Sequence, residues 1–187
     1  MIDISFYTES ELPQLGLAKI GSNVLISKAT AILGGANIEI ENDVRIDAFS
    51  ILTAVEGFIK IGSNVHIASY CSILGRGGVT LSRYSGLSHG VRVFSASDDY
   101  SGKFLTNPTV PITMTNVSVA EVFVGEHVIV GANSVILPGV KIGEGSAVGA
   151  QSLVARSLEP WGIYSGCPAK FLKTRSSSLL ELVDSTD

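Results

Sequence analysis

The sequence predicts an all-β fold, a parallel β-helix wound as a three-sided prism from six-residue units. Three observations predict it. First, a six-residue period runs through most of the 187 residues, clearest in Val124-Gly-Glu-His-Val-Ile, Val130-Gly-Ala-Asn-Ser-Val, Ile136-Leu-Pro-Gly-Val-Lys, Ile142-Gly-Glu-Gly-Ser-Ala and Val148-Gly-Ala-Gln-Ser-Leu. Second, the units group in threes: Ile142 follows Val124 by 142 − 124 = 18 residues, while Ile20, Ile40, Ile61 and Leu81 lie 20, 21 and 20 apart. Third, charged residues make up only 16%, glycine is abundant at 20 residues, and mean hydropathy is +0.39.

Each unit opens with a large aliphatic residue and places a small or β-branched one fifth, so two side chains per unit point inward. Short strands with tight corners satisfy that demand; a helix with its 3.6-residue period does not. Such coils bury their aliphatics only by stacking on one another, which makes one continuous core and one domain over 1–187.

In chain order, residues 1–19 are expected to cap the prism, with Leu12, Leu15 and Leu17 covering its first coil. Residues 20–173 hold the coils and a closing tail. Openers from Ile20 through Ile26, Ile40, Ile46, Leu52, Ile61, Ile67, Ile73, Leu81, Leu87 and Val93 carry the period upstream. Glu56 is the one fifth residue that does not fit, and it falls where a coil carries extra residues. Ser97 is expected inward as the fifth residue after Val93. The period stops between about 98 and 122, a stretch with Pro108 and Pro111, and resumes in register at Val124. A structureless insertion longer than ~12–15 residues is usually functional or disordered, and the return in register favours a projecting arm. After Glu159 the run Pro160-Trp-Gly-Ile-Tyr-Ser-Gly166-Cys-Pro-Ala-Lys170 ends the repeats. Residues 174–187 form an extension, with a short amphipathic helix expected over 176–187 through Leu179, Leu180, Leu182 and Val183.

Composition narrows the function classes. No apolar run reaches the ~18 residues of a membrane helix, and no charged-then-apolar leader opens the chain, so a cytoplasmic protein without membrane insertion is expected. Two cysteines make no disulfide framework; Cys71 sits at an inward fifth position as a small core residue. A formal net charge of −4 argues against nucleic acid as a partner.

The hexads, the single arm and the tail Gly166-Cys-Pro-Ala-Lys170-Phe-Leu-Lys173 together resemble the left-handed β-helix, hexapeptide-repeat acyltransferases, above all sugar O-acetyltransferases of the maltose and galactoside acetyltransferase type. The resemblance covers roughly residues 20–173. It implies a left-handed coil and a homotrimer with active sites in grooves between prisms. It also implies acetyl-CoA as cosubstrate, no metal, and direct attack by a sugar hydroxyl or amine in a surface-polysaccharide pathway. Ala132 and Ala150 match the small residues that let CoA approach the backbone, and Arg156, Lys170 and Lys173 match basic residues that meet its phosphates, with Arg175 extending them. Where the family places a catalytic His before the arm, this chain has Asp98. Asp98 is therefore the expected polar catalytic centre, supported by Asp99, with His89 as the competing base. Tyr100 and Asn107 on the arm are expected to touch the acceptor. Ile129 stands where relatives carry a Trp beside the cofactor.

Two other readings remain open at this point. A γ-carbonic-anhydrase-like zinc enzyme needs three His on one metal, but His66, His89 and His127 occupy different hexad positions. The other is a catalytically degenerate β-helix serving as a scaffold or CoA-binding protein.

Overall fold

The computed structural model describes residues 2–183. Nineteen of the strands, each two to four residues long, form three parallel sheets, one per prism face. The first face holds Lys19–Ile20, Ile38–Ile40, Ile59–Ile61, Val79–Leu81, Val122–Val124 and Lys141–Ile142. The second holds Leu25–Ile26, Arg45–Ile46, His66–Ile67, Gly86–Leu87, Ile129–Val130, Ala147–Val148 and Gly162–Ser165. The third holds Ala31–Leu33, Ile51–Thr53, Ser72–Leu74, Arg92–Phe94, Val135–Ile136 and Leu153–Val154.

The register follows the hexads. Val124 pairs with Ile142 and Val130 with Val148, so openers stack on openers. Ile26, Ile40, Ile46, Leu52, Ile61, Ile67, Ile73, Leu81, Leu87, Val93, Val124, Val130, Ile136 and Ile142 are fully buried or nearly so. Burying one such side chain stabilises by roughly 1.5–3 kcal/mol. The fifth positions Val24, Thr30, Val44, Ser50, Val65, Cys71, Ser85, Val91, Ser134 and Ser152 line the same core.

The fourth residue of a unit turns the corner in left-handed backbone conformation. Asn23, Asp43, Asn64, Tyr84 and His127 do so between the first and second faces, and Phe49, Tyr70, Asn133 and Gln151 between the second and third, all at φ of 54–64°. Asn and Asp tolerate that conformation well. The aromatic corner residues recover their cost by stacking on the coil above: Phe49 on Tyr70 at 5.2 Å, and Tyr84 on His127 at 5.1 Å between ring centroids.

The corner between the third and first faces is different, because every surplus residue lies there. Ile32 to Ile40 is 40 − 32 = 8 residues, Leu52 to Ile61 is 9, Ile73 to Leu81 is 8, and Val93 to Val124 is 31, where six suffice. Glu56 belongs to one of these surplus corners and is exposed, while Ala54 takes the buried place. The 31-residue excursion is the arm. Its root is an antiparallel pair, Ala96–Ser97 with Ser118–Val119, so the chain leaves the prism at Ser95, before the expected Asp98. Consequently Ser95, not Ser97, is buried: its Oγ donates to Leu74 O (2.6 Å) and accepts from Gly77 N (2.9 Å).

The first coil is capped by the segment around Leu12, which is buried, and by Ser5 to Tyr7 running along the second face. The last coil is closed by Lys170–Thr174, which folds back antiparallel on Gly162–Ser165. The helix expected over 176–187 is present as Leu179–Val183; residues 184–187 lie outside the described residues.

Candidate functional site

Two corners carry the residues singled out by the sequence. Between the second and third faces, third positions of successive units form a column: Ala48, Ser69, His89, Ala132 and Ala150. Backbone bonds join it, with Tyr70 N donating to Ala48 O (3.3 Å), Gly90 N to Ser69 O (3.0 Å), Asn133 N to His89 O (2.9 Å) and Gln151 N to Ala132 O (2.8 Å). Coils touch closely here: a Cβ on Gly131 would lie 2.4 Å from Ala150 N. The small side chains of Ala132 and Ala150 therefore leave the backbone of this corner open to a ligand lying along it. His89 is an exposed corner residue in the same column. Its neighbour Ser88 donates its N–H to Val130 O (2.9 Å) and accepts the Cys71 thiol on its own carbonyl (3.2 Å).

Lys170 and Lys173 lie exposed on the closing strand, opposite Ser165 and Ile163. Arg156 is exposed in the corner after Leu153–Val154. Arg175 does not extend the basic set. Its Nη1 donates to His127 O (2.8 Å), Gly145 O (2.9 Å) and Ser146 O (3.4 Å), pinning the tail to the prism.

At the third-to-first corner the arm folds over the surplus corners of the coils below it. Between them lies a pocket of about 530 Å³. Val55, Leu74, Val110, Ile112 and Val117 make it largely apolar, and Asp98, Asn107, Thr53 and Thr115 supply polar groups. Arg76 closes one side, its Nε donating to Glu56 Oε2 at 2.7 Å.

The adjacent aspartates have separate surroundings. Asp98 is exposed at the pocket; its backbone carbonyl accepts from Ser97 Oγ (3.1 Å), and its carboxylate has no hydrogen-bond partner among the described residues. Asp99 is committed. Its Oδ1 accepts from the hydroxyl and the N–H (2.8 Å) of Ser101, and its Oδ2 accepts from Asn116 Nδ2 (3.0 Å). The Ser101 hydroxyl foremost, then Asn116, holds this carboxyl below the ordinary range. Asn107 lines the pocket, but its Oδ1 is held by Thr109 N (2.9 Å) and Thr109 Oγ1 (2.6 Å). Tyr100 is 92% exposed and lies outside the pocket lining. Asp98 and Asn107 thus meet at one pocket, while His89 stands across the third face with Ala132 and Ala150.

Sequence reasoning missed Arg76, Asn116 and Ser88. The misfit Glu56 was the available signal for Arg76, since a charged residue in a core position marks a corner that has left the coil. The three histidines do not converge. His66 bonds Asp47 Oδ2 at 2.8 Å on the second face, His127 stacks on Tyr84, and His89 is a corner away. Among the described residues no group of three metal-ligating side chains occurs. No helix there is long and apolar enough to cross a membrane.

The comparisons agree with this geometry. Residues 121–156 match the family of bacterial transferases with hexapeptide repeats. The chain is 42% identical to a dTDP-4-amino-4,6-dideoxy-D-glucose acyltransferase of Escherichia coli over 96% of its length and 93% of that protein. It is 43% identical to AntD, an N-acyltransferase from Bacillus cereus solved with dTDP and 3-hydroxybutyryl-CoA, with a TM-score of 0.93 over 97% of this chain and 95% of that one. A hexapeptide-repeat acetyltransferase of Vibrio cholerae, VCA0836, shares the fold at 18% identity, with a TM-score of 0.65 over 91% of this chain and 79% of that one. The chain belongs to the left-handed β-helix, hexapeptide-repeat acyltransferases.

Proposed function

We propose that this acyltransferase moves an acyl group from an acyl-CoA thioester to the amino nitrogen of a dTDP-linked deoxyaminosugar. The observation that carries the reading is the unpaired Asp98 carboxylate at the arm pocket, in the place where O-acetyltransferases of the family carry a His. A hydroxyl needs a base to become a nucleophile, whereas a neutral amine already is one. As the amine attacks the thioester carbon, its nitrogen gains positive charge. A neighbouring carboxylate stabilises that charge and receives the proton; as the C–S bond breaks, CoA leaves as the thiolate and the proton passes on from the carboxyl to the sulfur, giving the thiol. Neither cysteine has a role in this sequence.

Two relatives support the acceptor class: the Escherichia coli enzyme named above, and AntD, solved with dTDP-4-amino-4,6-dideoxyglucose and CoA. AntD has also been solved with variants of one Asp and of a Ser ten residues before it. In this chain Ser88 precedes Asp98 by the same interval, 98 − 88 = 10, whereas His89 takes that place before Asp99.

The site needs more than one copy. Ser88, His89, Ala132 and Ala150 lie on one edge of the third face and Asp98 on the other, so a single prism does not bring them together. In a homotrimer whose third faces line the axis, the first edge of one copy meets the second edge of the next. Leu33 and Ile51 on that face are 46% and 42% exposed in the single chain, as a face awaiting a partner would be. CoA then lies along Ala132 and Ala150 with its phosphates toward Lys170 and Lys173, and Arg156 is contributed by the neighbour. Acyl-CoA and nucleotide sugars are both cytoplasmic metabolites, which places the reaction there.

The test is a mass-spectrometric assay with acetyl-CoA or 3-hydroxybutyryl-CoA, offering dTDP-4-amino-4,6-dideoxyglucose beside its 4-hydroxy analogue. N-acyl product from the amine alone is expected. Product from the hydroxyl would overturn the amine assignment, and CoA binding without either product would restore the scaffold reading.

A further inference from the structure

The arm leaves and rejoins the prism through one short antiparallel pair, Ala96 with Val119 and Ser97 with Ser118. Two residues beyond that pair would open freely without a second fastening. The structure supplies one. Asp99 Oδ2 receives Asn116 Nδ2 at 3.0 Å across the two limbs, while Asp99 Oδ1 receives Ser101 N and Oγ and sets the outgoing turn. A third link, Ser118 Oγ to Ser97 O at 3.2 Å, stitches the root below. Asp98 stands between these fastenings. Its neighbours on both sides are tied and its own carboxylate is not.

We propose that Asn116 and Asp99 are positioning residues that lock the arm root and thereby aim the Asp98 carboxylate into the pocket. Asp99 on this account never meets the substrate. Adjacent residues of an extended run point to opposite sides, so fixing Asp99 toward Asn116 fixes Asp98 away from it. Thr115 and Val117, which flank Asn116, both line the pocket. Displacing the Asn116 limb therefore moves one wall as well as the carboxylate. The division of labour also explains why Asp99 is held below the ordinary carboxyl range: it must stay ionised to accept all three bonds.

This inference rests on the acyltransfer reading but is tested separately from it. Asn116→Asp sets two carboxylates against each other and should open the root. Adding Asp99→Asn reverses the pair, with the new amide donating to the new carboxylate while its oxygen still accepts from Ser101. The single variant is expected to lose about tenfold in kcat while the acyl-CoA KM stays within about twofold. The swap should restore kcat to within about threefold of wild type. A single variant with unchanged kcat, or a swap no better than the single, would overturn the proposal. Hydrogen exchange over 96–119 reads the lock without turnover: protection should fall in the single variant and return in the swap, and unchanged protection would also overturn it. If the wild type itself acylated no acceptor, the function reading would fail while the exchange result still judged the lock.

Discussion

Replacing Asp98 with Asn separates charge from shape at the proposed catalytic position. The side chain is exposed and its carboxylate bonds nothing among the described residues, so the substitution removes no stabilising contact there. Substitutions of that kind usually stay within about 0.5 kcal/mol in stability. The kinetic consequence is larger. A positioned group that takes a proton or stabilises charge in the transition state contributes roughly 10²–10⁴-fold. Asp98 is exposed, and an exposed group is the less preorganised, which sets its expected contribution at the low end, near 10²-fold or about 2.7 kcal/mol. Steady-state assays against dTDP-4-amino-4,6-dideoxyglucose should show that loss in kcat. Calorimetric titration with CoA should be unchanged, because the proposed CoA contacts are Ala132, Ala150, Lys170 and Lys173 rather than the Asp98 carboxylate. A variant within about threefold of wild type would refute the assignment and promote His89. A parallel loss of CoA affinity would mean that Asp98 acts in CoA binding rather than in the transfer step.

Further expectations follow from the core and the caps. Ser85 is 1% exposed and its Oγ has no partner, whereas Ser152 Oγ donates to Gly149 O (2.7 Å) and accepts Gly166 N (3.1 Å). Thermal melts should show Ser85→Ala neutral or stabilising and Ser152→Ala destabilising by about 1–3 kcal/mol. Gly145 has φ +65° and a Cβ there would fall 2.4 Å from the Trp161 ring, so Gly145→Ala should cost about 2–4 kcal/mol in the same melts. Burial pushes the Cys71 thiol up to about 11, so a maleimide should label only exposed Cys167 in the native protein and both on unfolding. At the first cap, Lys28 foremost lowers the Glu11 carboxyl from 4.5 to about 2. A depressed acid stabilises the fold above its unfolded value and loses that contribution as pH falls through the folded one. Exchange protection near residues 5–12 should therefore fall between about pH 4.5 and 2 in wild type and be flat in Glu11→Gln.

The prism was legible in the sequence because each strand is so short that both inward side chains recur every six residues, a period with no helical equivalent. The site was legible only in part. Ala132 and Ala150 could be placed because they repeat with the coil. The arm could not be divided in the same way, since its residues obey no period. Val93-Phe-Ser-Ala-Ser offers two serines of equal fitness for the inward place, and only the turn at Ser95 decides between them. Asp98 and Asp99 are indistinguishable by type, although Asp99-Tyr-Ser101 is the spacing at which an aspartate caps its own turn. Arg175 looked like one more cation because a sequence does not show which carbonyls a corner leaves bare.

The concentration of every surplus residue at one corner has an evolutionary reading. Three faces and two corners must repeat without error, because a single added residue there would turn an aliphatic row toward water in all later coils. The third corner is exempt: the chain can lengthen by two residues or by twenty-five, and the next strand still lands in register. On the proposed reading, variation in the acceptor can therefore accumulate as changes in loop length and content at that corner, leaving the stacked aliphatic core untouched. Grafting the segment between Ser95 and Ala120 from one relative to another should then exchange acceptors.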